Sequence, residues 1–149
     1  MIIKELSILS EAQVKDILSF MGELTKKIVV TPEMLMQSVA SDNSYFFAII
    51  NDNDHIIGCA TLCVFDTPTG KKASVEDVVV SSQYRGHGLG RLLMQHVIEY
   101  AKTEFHNIDI HLTSSPHRVA ANKLYQVLGF QKRETNVYLV NIRNGCIQF

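Results

Sequence analysis

The sequence predicts an α/β fold, a mixed sheet of α+β character, in a single domain over residues 1–149. Three observations predict it. Strand-like runs and helical repeats follow one another along the whole chain in the order β-α-α-β-β-β-α-β-α-β-β. Two of the strands, Lys72 to Val80 and Ile108 to Leu112, are each followed by a helix, which marks a central parallel pair flanked by antiparallel hairpins. At 149 residues, 46% of them apolar, the chain is long enough to bury a core without disulfides or metal.

The elements are justified in turn. Ile2 to Leu6 reads as a first strand. Ser10 is an N-cap with Gln13 three positions later, a capping box. Val14, Ile17, Leu18, Met21 and Leu24 then recur at helical spacing. Thr31-Pro32 starts a second helix, with Thr at the N-cap and Pro at the first position, ending near Ala40. Tyr45 to Ile50 and Ile56 to Phe65 are strands around the turn Asn51-Asp52-Asn53-Asp54. Thr67-Pro68-Thr69-Gly70 is turn chemistry before the strand Lys72 to Val80. A helix follows from about Gly88 to Thr103, with Leu92, Leu93, His96, Val97, Tyr100 and Ala101 on its packed side. After the strand Ile108 to Leu112, Ser115-Pro116 introduces a helix from Arg118 to Leu128, ended by Gly129. Phe130 to Glu134 and Asn136 to Ile142 are expected to close as a hairpin.

Composition excludes several classes. Fourteen Lys and Arg against fifteen Asp and Glu give no general attraction for nucleic acid or an anionic membrane. No apolar stretch approaches the ~20 residues that span a bilayer. Met1 to Glu5 does not read as a signal peptide, because Glu5 precedes any apolar run. Cys59, Cys63 and Cys146 have no metal-like spacing and read as free buried thiols, which fits a reducing cytoplasm. The six histidines show no ligand spacing either, so no metal is expected.

The most informative stretch is Ser81 to Leu93. A β-branched run is followed at once by Arg85-Gly86-His87-Gly88-Leu89-Gly90-Arg91 and a helix start. Glycines let the backbone approach a ligand closely. The helix start offers unpaired N–H groups backed by the dipole, and together these make a phosphate site. The Walker loop is set aside because Gly90 is followed by Arg91-Leu92 instead of Lys-Ser/Thr. The dinucleotide fingerprint fails because the spacing is G-x-G-x-G.

Arg85-Gly86-His87-Gly88-Leu89-Gly90 resembles the Arg/Gln-x-x-Gly-x-Gly/Ala signature of the GCN5-related N-acetyltransferase (GNAT) family. A second block, Arg118 to Phe130, resembles that family's A-x-x-L-Y-x-x-x-G-F helix and turn. The likeness is close over about Ser74 to Tyr138. It implies the acyltransferase fold, in which the two central parallel strands splay apart and acetyl-coenzyme A lies in the gap as co-substrate. It implies transfer of an acetyl group to an amine by direct attack in a ternary complex. It also implies that the backbone amides of Arg85, Gly86, His87, Gly88, Leu89, Gly90 and Arg91 hold the diphosphate. Arg85 and Arg91 would add charge, though a solvated role for Arg91 stands equally. By the same resemblance Val78 and Val80 offer main-chain groups to the thioester and pantetheine, beside a bulge the sequence does not display.

Acyl transfer needs an acid for the departing thiolate and a base for the amine. Tyr125, in the second block, is the expected acid; an interior tyrosine with a satisfied hydroxyl is the plainer reading. Glu76 is the first candidate base and Asp77 the second, since a carboxylate on a central strand is unexpected unless it faces a cavity or water. Alternation along a strand would send the two to opposite faces. Glu76-Asp77 and the three following valines resemble the glucosamine-6-phosphate N-acetyltransferase branch. Asn122 follows one variant of the family helix, while other relatives carry an asparagine where this chain has Arg118, so either residue could touch the coenzyme. The expected acceptor is a small-molecule primary amine. A protein lysine or N-terminus, and a non-catalytic acetyl-coenzyme A sensor, are the alternatives. Thr25-Lys26-Lys27 and Lys71-Lys72 would favour an anionic acceptor or be plain solvated surface. Val137-Tyr138-Leu139-Val140 is an apolar potential edge through which two copies could pair as a homodimer.

Overall fold

The computed structural model describes residues 1–148. Strands β1 (Ile2–Leu6), β2 (Ser44–Ile50), β3 (Ile56–Thr67), β4 (Gly70–Val80) and β5 (Asp109–His111) lie side by side in that order in one sheet. The first four pair antiparallel; β5 joins β4 in parallel. Helices α1 (Glu11–Met21) and α2 (Pro32–Val39) cover one face, and α3 (Leu89–Phe105) the other. Helix α4 (Val119–Val127) follows β5. The mixed α/β sheet and the element order therefore agree with the sequence reading.

Because both faces are covered, β2 and β3 read as continuous apolar runs with no polar side to alternate with. Phe46, Ala48, Ile50, Ile56 and Cys59 pack with Ile17, Phe20, Met21, Leu35 and Val39 of α1 and α2. Their neighbours Phe47, Ile49, Ala60 and Leu62 pack with Leu93, Met94, Val97 and Ala101 of α3. Leu93 and Val97 are fully buried, each stabilising the fold by about 1.5–3 kcal/mol. The edge-to-face pair Phe47–Tyr100, centroids 5.0 Å apart, closes this side.

Local signals set the helix starts as expected. The Ser10 hydroxyl accepts from the Gln13 amide (3.3 Å), while the Gln13 side chain accepts from the Ser10 amide (2.9 Å). The Thr31 hydroxyl accepts from the Met34 amide at 3.2 Å. Helix α1 ends at Met21, short of the expected Leu24, because the chain tightens there. The Glu23 amide donates to the Phe20 carbonyl (2.9 Å) and the Leu24 amide to the Met21 carbonyl (3.0 Å).

The C-terminal hairpin differs from expectation. Residues 130–140 carry no strand, and the hairpin is β6 (Asn141–Arg143) with β7 (Cys146–Gln148), a separate two-stranded sheet. Asn144 and Gly145 have φ of 51° and 77°. An Asn-Gly pair with both φ positive is the favoured two-residue hairpin turn, and the segment around Thr135 offers nothing comparable. Val137 to Val140 are exposed and lie outside any strand, so the apolar edge expected there is not formed within the described residues. Cys146 is exposed, and of the three cysteines only Cys59 is fully buried.

Gly58 sits where β3 crosses the end of β4. A Cβ there would meet the Val79 carbonyl oxygen at 2.9 Å and side-chain atoms of Ile49 and Val80 at 3.1 and 3.2 Å. Gly58→Ala is expected to destabilise the protein by about 1–3 kcal/mol through this overpacking, read as a lower urea midpoint at unchanged m-value.

Candidate active site

From β4 the chain passes through one 3-10 turn, Ser82–Tyr84, into the glycine segment and then α3. Gly86 and Gly88 have φ of 83° and 74°, the left-handed region that favours glycine. Neither would bring a Cβ within 4 Å of another atom, so the space they leave is open. Leu89 is buried and anchors the helix start. The first backbone bond of the helix runs from the Leu92 amide to the Gly88 carbonyl (3.1 Å). Among the described residues, the amides of Leu89, Gly90 and Arg91 therefore have no acceptor in the chain. Such a row of free donors at a helix N-terminus, beside open backbone, fits an anionic phosphate group. Arg91 is exposed, and His87 folds its Nδ1 to 3.3 Å from the Tyr84 carbonyl.

The Arg85 guanidinium turns toward the protein. Its Nε donates to the Val80 carbonyl at 2.8 Å, and Nη2 donates to Glu23 at 2.6 Å. Glu23 also accepts from the Ser82 amide (2.9 Å) and hydroxyl (3.0 Å). This one carboxylate thus ties the end of α1 to the start of the glycine turn.

Beside the turn, β4 and β5 separate. Their pairing covers only Lys72–Ser74 against Asp109–His111. From Val75 to Val80, β4 keeps β3 on one edge and, among the described residues, no strand on the other. The opening lies where the resemblance put the splay, but β5 is the edge strand of the sheet and ends at His111, so the parallel pair is not central among the described residues. On the β3 edge, Cys59 pairs with Val79 and Thr61 with Glu76, so two steps along β3 match three along β4. Asp77 is the extra residue, at φ 53°, and forms a β-bulge.

The bulge alters which way side chains point. Val78 and Val80 pack toward the α3 side and Val79 toward α1 and α2. Glu76 stands opposite Thr61, and Asp77 lines a cavity together with Thr61. The two carboxylates therefore share a face, which corrects the expectation from strict alternation. Glu76 is engaged by the Ser74 hydroxyl. Asp77 has its carboxyl pushed above the usual range, first by burial and then by the neighbouring Glu76 charge.

The cavity holds about 220 Å³. Leu24, Ile28, Val30 and Met34, from the end of α1, the following loop and α2, wall it; Thr61 and Asp77 close it. Thr61, buried in the sheet, lies beneath it, and Thr25 and Ser38 add two further hydroxyls to its lining. Cys59 is fully buried nearby, and burial pushes its thiol well above the ordinary range, so it stays protonated.

Tyr125 lies on α4, half-buried against the α3-side core, with the Phe130 ring edge-on at 6.0 Å. Burial raises its pKa, partly opposed by Arg118, so the phenol remains a proton donor at neutral pH. The Asn122 amide donates to the Ser115 carbonyl at 2.9 Å, and the Arg118 guanidinium donates to the Leu24 carbonyl at 2.7 Å. Sequence reasoning missed Glu23, Ser82 and Thr61. Glu23 lies 62 positions from Arg85, and no local pattern announces that contact. Among the described residues no group of three or more His, Cys, Asp or Glu is placed to hold a metal ion, and no helix is long and apolar enough to cross a membrane.

Residues 15–130 match the model of the Acetyltransferase (GNAT) family. Over 103 residues the chain is 33% identical to N-acetyltransferase family 8 member 2 of Rattus norvegicus, covering 68% of this chain and 44% of that protein. Over 100 residues it is 30% identical to N-acetyltransferase 8B of the same organism, covering 66% and 45%. The chain spans less than half the length of these curated relatives. The crystal structure of glucosamine-6-phosphate N-acetyltransferase from Arabidopsis thaliana superposes with a TM-score of 0.68 at 20% identity, covering 93% of this chain and 98% of that one.

Gly88→Ala places a Cβ on left-handed backbone and is expected to cost about 1–2 kcal/mol. Gly90→Ala meets only Leu124 at 3.6 Å on ordinary helical backbone and should be neutral or stabilising by up to about 1 kcal/mol; denaturant melts separate the two. For Asp77, the folded state holds the carboxyl proton more tightly than the unfolded state, so its charge costs stability once the pH exceeds the unfolded pKa. Asp77→Asn, which tolerates the left-handed backbone, is expected to raise Tm at neutral pH. That gain should vanish as the pH falls below the ordinary carboxylate range, a trend a pH series of thermal melts would check.

Proposed function

The chain belongs to the acetyltransferase (GNAT) family, and on that premise we propose that it moves an acetyl group from acetyl-coenzyme A to a small primary amine by direct attack in a ternary complex. The observation that carries this reading is the bulge at Asp77. It stands between the opening along β4, which leads to the free amides at the start of α3, and the cavity under α1 and α2. A donor and an acceptor held in those two spaces would meet at one point of β4.

Acetyl-coenzyme A supplies an activated thioester when bound. The amides of Leu89, Gly90 and Arg91, with the open backbone of Gly86, His87 and Gly88, hold its diphosphate through fixed dipoles. Arg85 serves through its main chain, because its guanidinium is engaged by Glu23 and Val80. Main-chain groups of Val78 and Val80 lie along the unpaired edge of β4 and orient the acyl group. Asp77 receives the proton of the attacking amine; it lines the cavity, and its raised pKa suits a base. Glu76, on the same face and hydrogen-bonded to Ser74, biases Asp77 by its charge. As the new N–C bond forms and the C–S bond breaks, the Tyr125 hydroxyl donates its proton to the departing sulfur. Asn122 and Arg118 hold the loop around Ser115 and the segment at Leu24. Free cysteines, Cys59 among them protonated and buried, support a reducing, cytoplasmic setting.

Calorimetric titration with acetyl-coenzyme A, followed by a thiol-release assay over an amine panel, tests the proposal. Micromolar binding with turnover is expected, and Tyr125→Phe should lower kcat on the order of 100-fold while leaving coenzyme affinity within about twofold. Binding without acetylation of any amine would instead indicate a sensor.

A further inference from the structure

We infer that the amine accepted by this protein is carried on an apolar body, an alkyl- or arylalkylamine, with its ammonium group at the Asp77 end of the cavity. The inference rests on the acetyl-transfer reading and names the substrate class for that same site. The cavity has one ionisable end and mainly apolar walls, with the hydroxyls of Thr25, Ser38 and Thr61 as its uncharged polar groups. Leu24, Ile28, Val30 and Met34 supply hydrocarbon on several sides, while the Asp77 carboxylate is the single charged group among the lining residues. Neither Asp77 nor the Thr61 hydroxyl has a side-chain hydrogen-bond partner among the described residues, so both are available to an incoming –NH3⁺ group. Charge complementarity fixes the ligand's orientation: the ammonium toward Asp77, the carbon skeleton toward α2.

The same walls argue against a sugar or a phosphorylated amine. A hydroxylated ring would lose its water mostly against Leu, Ile, Val, Met and Phe, with only the Thr25, Ser38 and Thr61 hydroxyls and Asp77 to replace it. A phosphate would find no partner, because no Lys, Arg or His is among the lining residues. Lys26 and Lys27, which the sequence offered for an anionic acceptor, are exposed and do not line the cavity. Lys71 is paired with Asp66 at 2.8 Å in the β3–β4 hairpin. The mouth is apolar as well: Ile28 is 50% and Met34 46% exposed, an arrangement that marks a ligand-binding rim. At about 220 Å³, the space lies below the ~300–1,000 Å³ of drug-sized sites and suits a small ligand.

The test uses the purified chain at saturating acetyl-coenzyme A with ethylamine, butylamine, hexylamine and glucosamine 6-phosphate as acceptors. Each methylene buried should raise kcat/KM about fourfold, so hexylamine, four methylenes longer, should exceed ethylamine roughly 250-fold. Glucosamine 6-phosphate should be the poorest of the set. Met34→Asp, at a half-exposed position that can take a charge without unfolding, should cut the hexylamine-to-ethylamine ratio about tenfold and leave acetyl-coenzyme A affinity unchanged. Thermal shift in the presence of coenzyme A gives a readout independent of turnover: hexylamine should stabilise the protein more than ethylamine. Turnover with no chain-length dependence, or a preference for glucosamine 6-phosphate, overturns the inference and leaves the acetyl-transfer reading intact. Failure to bind acetyl-coenzyme A overturns both.

Discussion

Strand β4 carries one residue more than β3 between the pairs Cys59–Val79 and Thr61–Glu76, and the site is arranged around that residue. Without the bulge, strict alternation would continue along β4 and only one of the two carboxylates, Glu76 or Asp77, could face α1 and α2. With it, Val78 and Val80 turn toward α3 while Asp77 joins Glu76 on the opposite face. The cost is a non-glycine residue in left-handed backbone, of order 1–3 kcal/mol where the surrounding structure over-determines it. The over-determination is visible. Val79 and Val75 are buried on either side of the bulge, locked into the two separate core layers.

The bulge acts together with the early end of the β4–β5 pairing. Three paired residues hold the two strands at their N-terminal ends, and beyond them β4 has a free edge leading straight to the glycine turn. Two sets of long-range contacts then tie the wall of the cavity to the opposite elements. Glu23 is bonded to Arg85 and Ser82, and the Leu24 carbonyl to Arg118. Glu23 and Arg85 are both partly exposed, so such a pair is worth at most about 1 kcal/mol. Its importance is positional: two adjacent residues after α1 are pinned by the glycine turn on one side and the start of α4 on the other. Movement of either element would be felt at Leu24, which lines the cavity.

The family resemblance and the cavity chemistry bear on different questions. The glycine motif and the Leu124-Tyr125 block lie within the residues that match the family model, and a structure 20% identical shares the same fold. The likeness of Glu76-Asp77 to the amino-sugar branch is a likeness at the bulge. The cavity beside the bulge is walled instead from the end of α1, the loop after it and α2. There, hydrocarbon, three hydroxyls and a single carboxylate line the space, and no Lys, Arg or His does.

Elements governed by contacts within four or five residues were legible from the sequence. The Ser10–Gln13 capping box, Thr31-Pro32, the glycine turn and the strand runs lie where their local chemistry puts them, because caps, φ preferences and periodicity act within one turn or one strand. Asn144-Gly145 was equally local, and its hairpin could have been read in place of the one expected around Thr135. The bulge, the splay and the partners of Arg85 and Arg118 were not legible. A bulge exists only as a difference in register between two strands, and splay only as the point where a pairing stops. The chain by itself determined which segments are strands and helices and where an anion can approach the backbone. Tertiary structure alone decided that Asp77 faces a cavity and that Arg85 faces Glu23, because both depend on residues brought together across long loops by burial of the sheet's two faces.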